Sequence, residues 1–462
     1  MLLDPAVLQI VLSVEAMGIL QQIVNFLLGL GASVLIPIIL FFVSLAFGVP
    51  LGKAFRAALT IGVGFVGIFL VINLFLGELG PIAKDMVSAT GVKLEILDVG
   101  WPSAAAIAFG STIGTVIIPL TVAVNLLMLI LGLTKTMDID IWNYWHFAFT
   151  GAMVEAATGN FWLGCLAAAV NAAIVLKLGD WTAKDIQELL NMPGISLPHG
   201  FSAAYVPLAL PVKWVIDRTP LKDIKADPET IREKFGVLGE PAVIGLFLGI
   251  ILAILARRGP ADILKAGVNM AAVMVLMPRV VGILMEGLLP ISESVREWLT
   301  KRFPGAELYI GLDSAIAIGH PTAIAASLIL VPITIALAVV LSPYNRILPF
   351  TDLAVLPFLV CMIVPVMGGN VLHTVLAGIL PIAVGLVIGT DMAYAFTEAA
   401  RKAGFPIPEG VVAISSICDG TNPLTYVLWR AHIHGGFPAG IVLFVLTLAG
   451  AYIAKRRASS KS

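Results

Sequence analysis

Long apolar stretches alternate with short polar ones along this chain of 462 residues. A helix that crosses a bilayer needs about 20 predominantly apolar residues. Residues 57–77 form one such run without a charge, and residues 435–454 form another. Three more runs are too long for a single span and contain Gly and Pro, namely 99–134, 314–345 and 353–390. The pattern predicts about 10–11 transmembrane helices, with shorter re-entrant pieces where Gly and Pro interrupt a run.

Two segments depart from this pattern. Residues 5–28 place polar side chains among apolar ones, which is typical of an amphipathic helix at the membrane interface rather than of a full span. Residues 213–240 are strongly charged and too short for a catalytic domain, so we interpret them as a solvated connector or docking surface. No Lys or Arg precedes Lys53, so the positive region of a cleaved signal peptide is missing and we expect the mature chain to begin near Met1.

Composition agrees with a membrane location. Hydrophobic residues make up 59% of the chain and charged residues 12%, against about 25% charged in a typical soluble domain. The formal net charge of −1 excludes the basic surface that nucleic-acid binding requires. Basic residues at 455–461 follow the last apolar run, which predicts a cytoplasmic C-terminus. The predicted fold class is an all-α polytopic membrane protein.

The two halves of the chain align with each other, which indicates an internal duplication. Residues 54–82 align with 263–291 without gaps. Three shorter matches follow in the same order at nearly constant offsets: Pro119 with Pro332, Gly159-Asn160 with Gly369-Asn370, and His199 with Asp419. Duplicated halves are common in transporters, where the substrate lies at the interface between them.

Five spans in each half, an odd number, would invert the second repeat relative to the first. The loop charges test this inversion poorly. Arg257, Arg258 and Lys265 would then lie outside the cell, against the positive-inside tendency.

Polar residues that recur at corresponding intramembrane places are the candidates for a substrate site. A charge at the bilayer centre costs about 2.5–3.5 kcal/mol even on the mild insertion scale, so such groups are functional candidates. Glu155, Thr158 and Asn160 lie in one small-residue stretch, and Asn370 is the counterpart of Asn160. Small residues beside an amide are typical of a broken helix that lines a cavity. The alternative is close helix packing with a satisfied Asn.

A second matched pair is His199 and Asp419. Each lies in a short stretch interrupted by Gly and Pro, near 196–212 and 411–428, and these stretches predict two re-entrant hairpins. An imidazole and a carboxylate offer donors and acceptors to a polyhydroxylated solute. The alternative is a loop tip that merely reaches water.

Four further ionisable residues complete the candidate set. Asp313 and His320 are seven residues apart and therefore share roughly one helix face, and Asp98 is the counterpart of Asp313. His146 lies among aromatic residues, as a site residue or an interface anchor. Trp101 could stack on the C–H face of a sugar or belong to the interfacial aromatic belt.

Other chemistry is not indicated. His432 and His434 lie two residues apart, so they do not share a helix face and predict no metal site. Cys165, Cys361 and Cys418 are scattered, without metal or redox spacing. The chain has no Gly-rich phosphate loop, HExxH or GxSxG motif. We therefore predict no catalytic residue, no metal and no cofactor.

Several stretches are specific rather than compositional. They are GVGFVGIFLVINLFLGELGPIAK (62–84), DVGWP (98–102), DIWNYWHFAFTGA (140–152), LGDW (178–181), PHG (198–200), KFGVLGEP (234–241), LMPRV (276–280), IGLDSA (310–315), LPFTDLA (348–354) and GGN (368–370). On these residues the chain resembles the galactitol-type IIC component of the bacterial phosphoenolpyruvate-dependent phosphotransferase system, in the ascorbate/galactitol superfamily. The resemblance begins near Gly31 and covers nearly all of the rest.

The resemblance implies a homodimer in the bacterial cytoplasmic (inner) membrane, with a scaffold domain and a mobile core domain that carries the substrate. Mapped onto this chain, it gives an N-terminal amphipathic segment (1–30), scaffold spans of repeat 1 (31–97), the core of repeat 1 (98–212), a polar connector (213–240), scaffold spans of repeat 2 (241–310), the core of repeat 2 (311–435) and a last span with the basic tail (436–462).

The resemblance also implies a permease that presents a sugar alcohol, galactitol or a related polyol, to a separate IIB protein charged by a IIA protein. No segment like IIA or IIB occurs in this chain. The resemblance also assigns a substrate-binding role to His199, Asp313 and Glu155, and it implies an elevator-type movement of the core. A rival interpretation is a proton-coupled symporter in which Glu155, Asp313 and Asp419 relay protons. A third is a membrane receptor without transport, for which the chain offers no signalling domain.

Overall fold

The computed structural model describes residues 32–90, 94–302, 307–407 and 411–459, together with residues 22, 26, 29 and 30. The segment 5–28, interpreted as an interfacial helix, lies outside the described residues apart from two isolated positions. The described part is mostly helical, which confirms the predicted helical class. Its α-helices are α1 (Ala32–Ala46), α2 (Leu51–Thr90), α3 (Trp101–Gly110), α4 (Thr112–Ile130), α5 (Trp145–Thr158), α6 (Phe161–Leu190), α7 (Val206–Ile216), α8 (Pro228–Phe235), α9 (Pro241–Leu255), α10 (Pro260–Arg302), α11 (Ala315–Ile318), α12 (Pro321–Val340), α13 (Leu356–Val360), α14 (Ile363–Val366), α15 (Val371–Lys402) and α16 (Pro423–Ser459).

Seven helices within the described residues are long and apolar enough to cross a membrane, which confirms a multi-pass membrane protein. They are Leu51–Ala89, Thr112–Ile130, Phe161–Leu190, Pro260–Leu288, Pro321–Val340, Val371–Lys402 and Pro423–Arg456. Three more apolar helices, Ser33–Ala46, Ser202–Ile216 and Pro241–Leu255, are shorter than the about 20 residues that a span needs. Of the predicted 10–11 spans, the described residues therefore support seven by length and composition.

Glycines allow α2 and α10 to cross closely. A Cβ atom on Gly64 of α2 would lie 2.6 Å from the Cβ of Leu284 on α10. A Cβ on Gly287 of α10 would lie 2.7 Å from the carbonyl oxygen of Ala57 on α2. Small residues at such crossings let two helix backbones approach each other, which is how membrane helices gain packing energy.

Six short strands form two parallel sheets that the sequence analysis missed. They are β1 (Ile96–Asp98), β2 (Thr136–Asp138), β3 (Ile195–Ser196), β4 (Tyr309–Gly311), β5 (Ile347–Leu348) and β6 (Ala413–Ser415). One sheet has the order β5-β1-β6 and the other the order β2-β4-β3. Each sheet thus takes its central strand from one half of the chain and both outer strands from the other half. Strands of two or three residues are too short to show the alternation that reveals a strand in a sequence.

The two stretches interpreted as re-entrant hairpins share one local structure. Within 196–212, the end of β3 is followed by a loop and then by α7; within 411–428, β6 is followed by a loop and then by α16. Helix α16 is interrupted at Gly436, whose φ of 55° and ψ of −148° are not helical.

The connector at 213–240 is partly helical and lies against the second half of the chain. It contains a 3-10 turn at Pro220–Asp223 and helix α8. The amide of Asn370 donates to the carbonyl of Ile224 at 2.7 Å, and the ring Nε2 of His373 lies 2.9 Å from the carbonyl oxygen of Leu221. The start of α15 is therefore tied to the connector.

Candidate functional site

A chamber of about 320 Å³ lies among residues of both halves of the chain, near the lower end of the range of about 300–1,000 Å³ for small-molecule pockets. Helices α1 and α2 supply one wall and the region from α3 to α16 supplies the rest. Its lining residues are Ser33, Phe69, Ile72, Asn73, Trp101, Asn143, Trp145, His146, His199, Phe201, Asp313, Val355, Phe358 and Cys418. Three predicted site residues, His146, His199 and Asp313, thus meet in one place.

His146 is held by another of the predicted site residues, Asp419. His146 follows the first residue of α5, and Asp419 lies in the loop between β6 and α16. The ring Nδ1 is 2.6 Å from a carboxylate oxygen of Asp419, and both side chains are buried. An ionised carboxylate only accepts hydrogen bonds, so Nδ1 carries the proton and Nε2 of a neutral ring is an acceptor.

His199 has the opposite arrangement. Its Nδ1 accepts from the backbone N–H of Ser202 at 3.3 Å. The proton of the neutral ring is therefore on Nε2, which leaves that nitrogen as a donor. The rings of His146 and His199 lie 4.6 Å apart between centroids, edge to face. Two adjacent imidazoles thus offer one acceptor and one donor.

Asp313 adds a carboxylate to the same chamber. It follows β4, and one of its oxygens accepts from the backbone N–H of Ala315 at 2.8 Å. Asn143, another lining residue, donates its amide to Asp140 at 2.8 Å. The other carboxylate oxygen of Asp140 is buried without a hydrogen-bond partner. A polar cluster therefore lies on one side of the chamber.

Aromatic rings form much of the remaining wall. Trp101 and Trp145 lie 6.3 Å apart between ring centroids, and Trp145 lies 3.9 Å from the ring of His146. Phe201 and Phe358 complete this surface. The sequence singles out Trp101 but gives no direct indication of Asn143, Trp145 or Phe201. The signal that could have found them is their position, within a few residues of His146 or His199.

Asp98 lies outside the chamber and is surrounded by backbone donors. Its carboxylate accepts from the backbone N–H groups of Gly100, Phe350, Asp352 and Ile417 at 2.8–3.4 Å. These residues belong to the loops that follow β1, β5 and β6. Asp98 thus fastens three loops at the end of one sheet.

Asp352, which the sequence analysis did not single out, has a similar role. Its two oxygens accept from the N–H of Trp101, the hydroxyl of Ser416 and the N–H of Cys418 at 2.6–3.0 Å. The carboxylate therefore holds the two lining residues Trp101 and Cys418 by their backbones.

Asn160 and Asn370 have equivalent positions as helix caps. Asn160 precedes α6 and accepts from the backbone N–H of Leu163 at 3.0 Å. Asn370 precedes α15 and accepts from the backbone N–H of His373 at 3.0 Å. His320 caps α12 similarly, with its Nδ1 3.2 Å from the N–H of Thr322. None of the three caps is among the chamber-lining residues.

Glu155 and Thr158 lie near the C-terminal end of α5, away from the chamber lining. Glu155 accepts from the hydroxyl of Thr112 and lines a separate cavity of about 240 Å³ that also contains Lys402. The hydroxyl of Thr158 donates to the carbonyl of Val154 at 2.7 Å. The sequence predicts a substrate role for these two residues and for Asn160. All three lie outside the lining of the chamber that contains His199 and Asp313.

One cluster within the described residues has the composition of a metal site. His146, Cys418 and Asp419 offer ligand atoms within 4.8 Å of one another. A nitrogen and an oxygen that both bind Zn²⁺ at about 2.0–2.2 Å in tetrahedral geometry lie about 3.3 Å or more apart. The separation of 2.6 Å between His146 and Asp419 fits a direct hydrogen bond instead.

Comparison with known proteins gives consistent results. A family described as EIIC-GAT, PTS system sugar-specific permease component, matches residues 25–410. The PTS system galactitol-specific EIIC component of Escherichia coli (strain K12) is 39% identical over 439 residues, covering 95% of this chain and 97% of the relative. A putative permease IIC component of the same strain is 40% identical over 397 residues, covering 86% of this chain and 91% of the relative.

Proposed function

This chain belongs to the EIIC-GAT family of PTS system sugar-specific permease components, and on that premise we propose that it binds galactitol or a related sugar alcohol in the chamber around His146 and His199. The relative that covers 95% of the chain is galactitol-specific by name. The family match does not favour the proton-coupled symporter.

Hydroxyl recognition rests on the two imidazoles, and their arrangement is the observation that carries the proposal. A hydroxyl group donates one hydrogen bond and accepts others. Nε2 of His146 accepts and Nε2–H of His199 donates, because their other nitrogens are engaged by Asp419 and Ser202. Asp313 accepts from a further hydroxyl. A solute that lacks a hydroxyl would leave one of these groups unpaired, which costs about 1–3 kcal/mol.

The charge of the chamber suits a neutral polyol rather than its phosphate ester. Among the described lining residues there is no Lys or Arg, while Asp313 supplies a carboxylate. Anionic groups are usually bound by Arg, Lys or clustered backbone N–H groups. A phosphorylated product would therefore be bound weakly and would leave the chamber.

We propose that the chain is duplicated and that its core moves as an elevator. The reciprocal strand orders β5-β1-β6 and β2-β4-β3 support the duplication. So do the equivalent caps Asn160 and Asn370, each bonded to the N–H three residues later. The chamber lies between α1 and α2, the proposed scaffold of repeat 1, and the proposed core. Sliding of the core along that wall would carry the bound polyol across the bilayer.

Phosphorylation would make the uptake unidirectional. In this proposal a IIA protein phosphorylates a IIB protein, which docks on the cytoplasmic side of an inward-facing homodimer in the inner membrane. Transfer of phosphate to the polyol adds negative charge, and a charged product does not return through an apolar path.

Uptake of labelled galactitol by cells with and without IIA and IIB tests this function. We expect accumulation only when both are present, and its persistence when an uncoupler is added while phosphoenolpyruvate remains available. Accumulation without IIA and IIB, abolished by the uncoupler, would refute the proposal and support a proton-coupled symporter.

A further inference from the structure

Another cavity lies at one end of the spanning helices, between α6, the loop from α4 to β2 and the last part of α16. Its volume is about 650 Å³, roughly twice that of the chamber, and it shares no lining residue with the chamber. Its lining residues are Gly132, Leu133, Thr134, Lys135, Ile174, Lys177, Leu178, Asp180, Trp181, Leu446, Thr447, Gly450, Ala451, Ala454 and Lys455. No part of the proposed transport function uses this cavity.

Apolar and small side chains form the walls that run along the helices. Ile174 and Leu178 come from α6, and Leu446, Gly450 and Ala451 come from α16. Both helices are candidate membrane spans. A Cβ atom on Gly450 would meet nothing within 4 Å, so the groove is open at this point. These walls are apolar and run along the spanning helices, so they suit a lipid acyl chain that lies parallel to the helices.

Three lysines surround the polar end of the same cavity. Lys135, Lys177 and Lys455 lie there with one lining carboxylate, Asp180. Lys135 is paired with Glu307 and Lys177 with Asp180, so one positive charge, that of Lys455, is left in excess. Asp180 is already occupied: it accepts from the hydroxyls of Thr134 and Thr136, from the N–H of Lys135 and from the ammonium of Lys177 at 2.5–3.0 Å. Its charge is therefore largely satisfied by local donors.

The lysines are held at the edge of the cavity. Nζ of Lys455 donates to the carbonyl of Leu131 at 3.0 Å, at the C-terminus of α4. Lys135 pairs with Glu307, and this hydrogen bond holds the pKa of the Glu307 carboxyl below its ordinary value. Trp181, 61% exposed, lies beside them. Exposed Trp next to Lys is typical of the level of lipid headgroups.

We propose that this cavity, between Lys177 and Lys455 at one end and Gly450 along its wall, binds an anionic phospholipid. The phosphate of the headgroup would lie among the lysines and one acyl chain along α6 and α16. Basic pockets between spanning helices bind anionic headgroups in this way. A second copy of the chain is a poorer occupant, because a two-fold contact through this surface would bring two sets of lysines together.

The test is a titration of the purified full chain, in an uncharged detergent, with phosphatidylglycerol and with phosphatidylcholine of the same chain length. Binding is followed by native mass spectrometry and by the thermal unfolding midpoint. We expect phosphatidylglycerol to bind and stabilise, and phosphatidylcholine to have little effect. The double variant Lys177→Gln/Lys455→Gln should bind phosphatidylglycerol about thirtyfold more weakly, which corresponds to about 2 kcal/mol.

Two more variants separate lipid binding from a loss of folding. Lys184→Gln removes an exposed lysine on the same helix, outside the cavity, and should leave the preference for phosphatidylglycerol unchanged. Gly450→Leu fills open space in the apolar groove without changing a charge, and should weaken lipid binding while galactitol binding is retained.

Glycerol phosphate, which has the headgroup chemistry without acyl chains, is the final arm. Equal stabilisation by glycerol phosphate and phosphatidylglycerol would overturn the lipid proposal in favour of a small-anion site. Equal binding of the two phospholipids, or an unchanged affinity of both the double lysine variant and Gly450→Leu, would also overturn it.

Discussion

Nδ1 of His146 lies 2.6 Å from Oδ2 of Asp419, although 273 positions separate the two residues in the chain. His146 belongs to the first half of the chain and Asp419 to the second. The bond determines which ring nitrogen of His146 carries the proton, and thus which hydrogen bond the ring can offer to a ligand. The second half of the chain thereby orients a proposed binding group of the first.

Replacing Asp419 by Asn should weaken galactitol binding about tenfold. The amide keeps the shape of the side chain but removes the charge that orients His146, and its N–H₂ can force the other tautomer. Isothermal titration of the purified variant measures the effect. Asp391→Asn is the matched control, because Asp391 is in an exposed ion pair with Arg430 and such pairs contribute little. An unchanged affinity in Asp419→Asn would contradict the role of this bond.

Two histidine variants should separate binding from folding. His199→Ala removes a donor from the chamber, so we expect galactitol affinity to fall at least about tenfold, or about 1.4 kcal/mol. His320→Ala removes the cap of α12 and should lower the free energy of unfolding by about 0.5–2 kcal/mol, with galactitol affinity within about twofold of wild type. Titration calorimetry and thermal unfolding of both variants check this. Equal losses of affinity would show that the chamber is not the binding site.

Asn160→Ala should lower stability by about 1 kcal/mol, because the N–H of Leu163 loses its acceptor. Asn160→Asp keeps the cap and should restore the thermal unfolding midpoint. Galactitol affinity should remain unchanged in both variants. A loss of affinity in the stable Asn160→Asp variant would instead support the substrate role that the sequence predicts for Asn160.

Gly64→Ala should destabilise the crossing of α2 and α10. The added methyl group would lie 2.6 Å from Leu284, and such overpacking typically costs about 1–3 kcal/mol. The thermal unfolding midpoint in detergent should fall accordingly. Gly77→Ala is the control on the same helix, since a Cβ there meets nothing within 4 Å. A similar fall in both variants would show that helix propensity, and not contact with Leu284, is responsible.

The parts of the site that the sequence predicted share one physical property. His146, His199, Asp313 and Asp419 are ionisable groups in apolar surroundings, which are expensive to bury and therefore conspicuous in a sequence. Trp145 and Phe201 belong to the same chamber, but an aromatic residue in an apolar stretch is unremarkable. Burial cost therefore identifies the polar part of a chamber and leaves its apolar walls undetected.

A polar side chain in an apolar stretch is conspicuous whatever its partners are. This explains why the sequence predicts a substrate role for Asp98 and Asn160 as well. A buried carboxylate or amide needs partners, and a sequence does not show whether these are ligand atoms or backbone N–H groups. For Asp98 they are the N–H groups of three loops, and for Asn160 the N–H of a helix turn. Only the three-dimensional arrangement distinguishes the two cases.

The strand order of the two small sheets has a consequence for biosynthesis. Strand β1 cannot pair with its neighbours until β5 and β6 have been synthesised. Strands β2 and β3 likewise cannot pair until β4 has been synthesised. The nascent first half therefore enters the membrane with unpaired strand edges and completes them only after Ser415 has emerged. A chain that ends before this residue would lack the last strand of the β5-β1-β6 sheet, so the pairing of β1 depends on residues far beyond the first half of the chain.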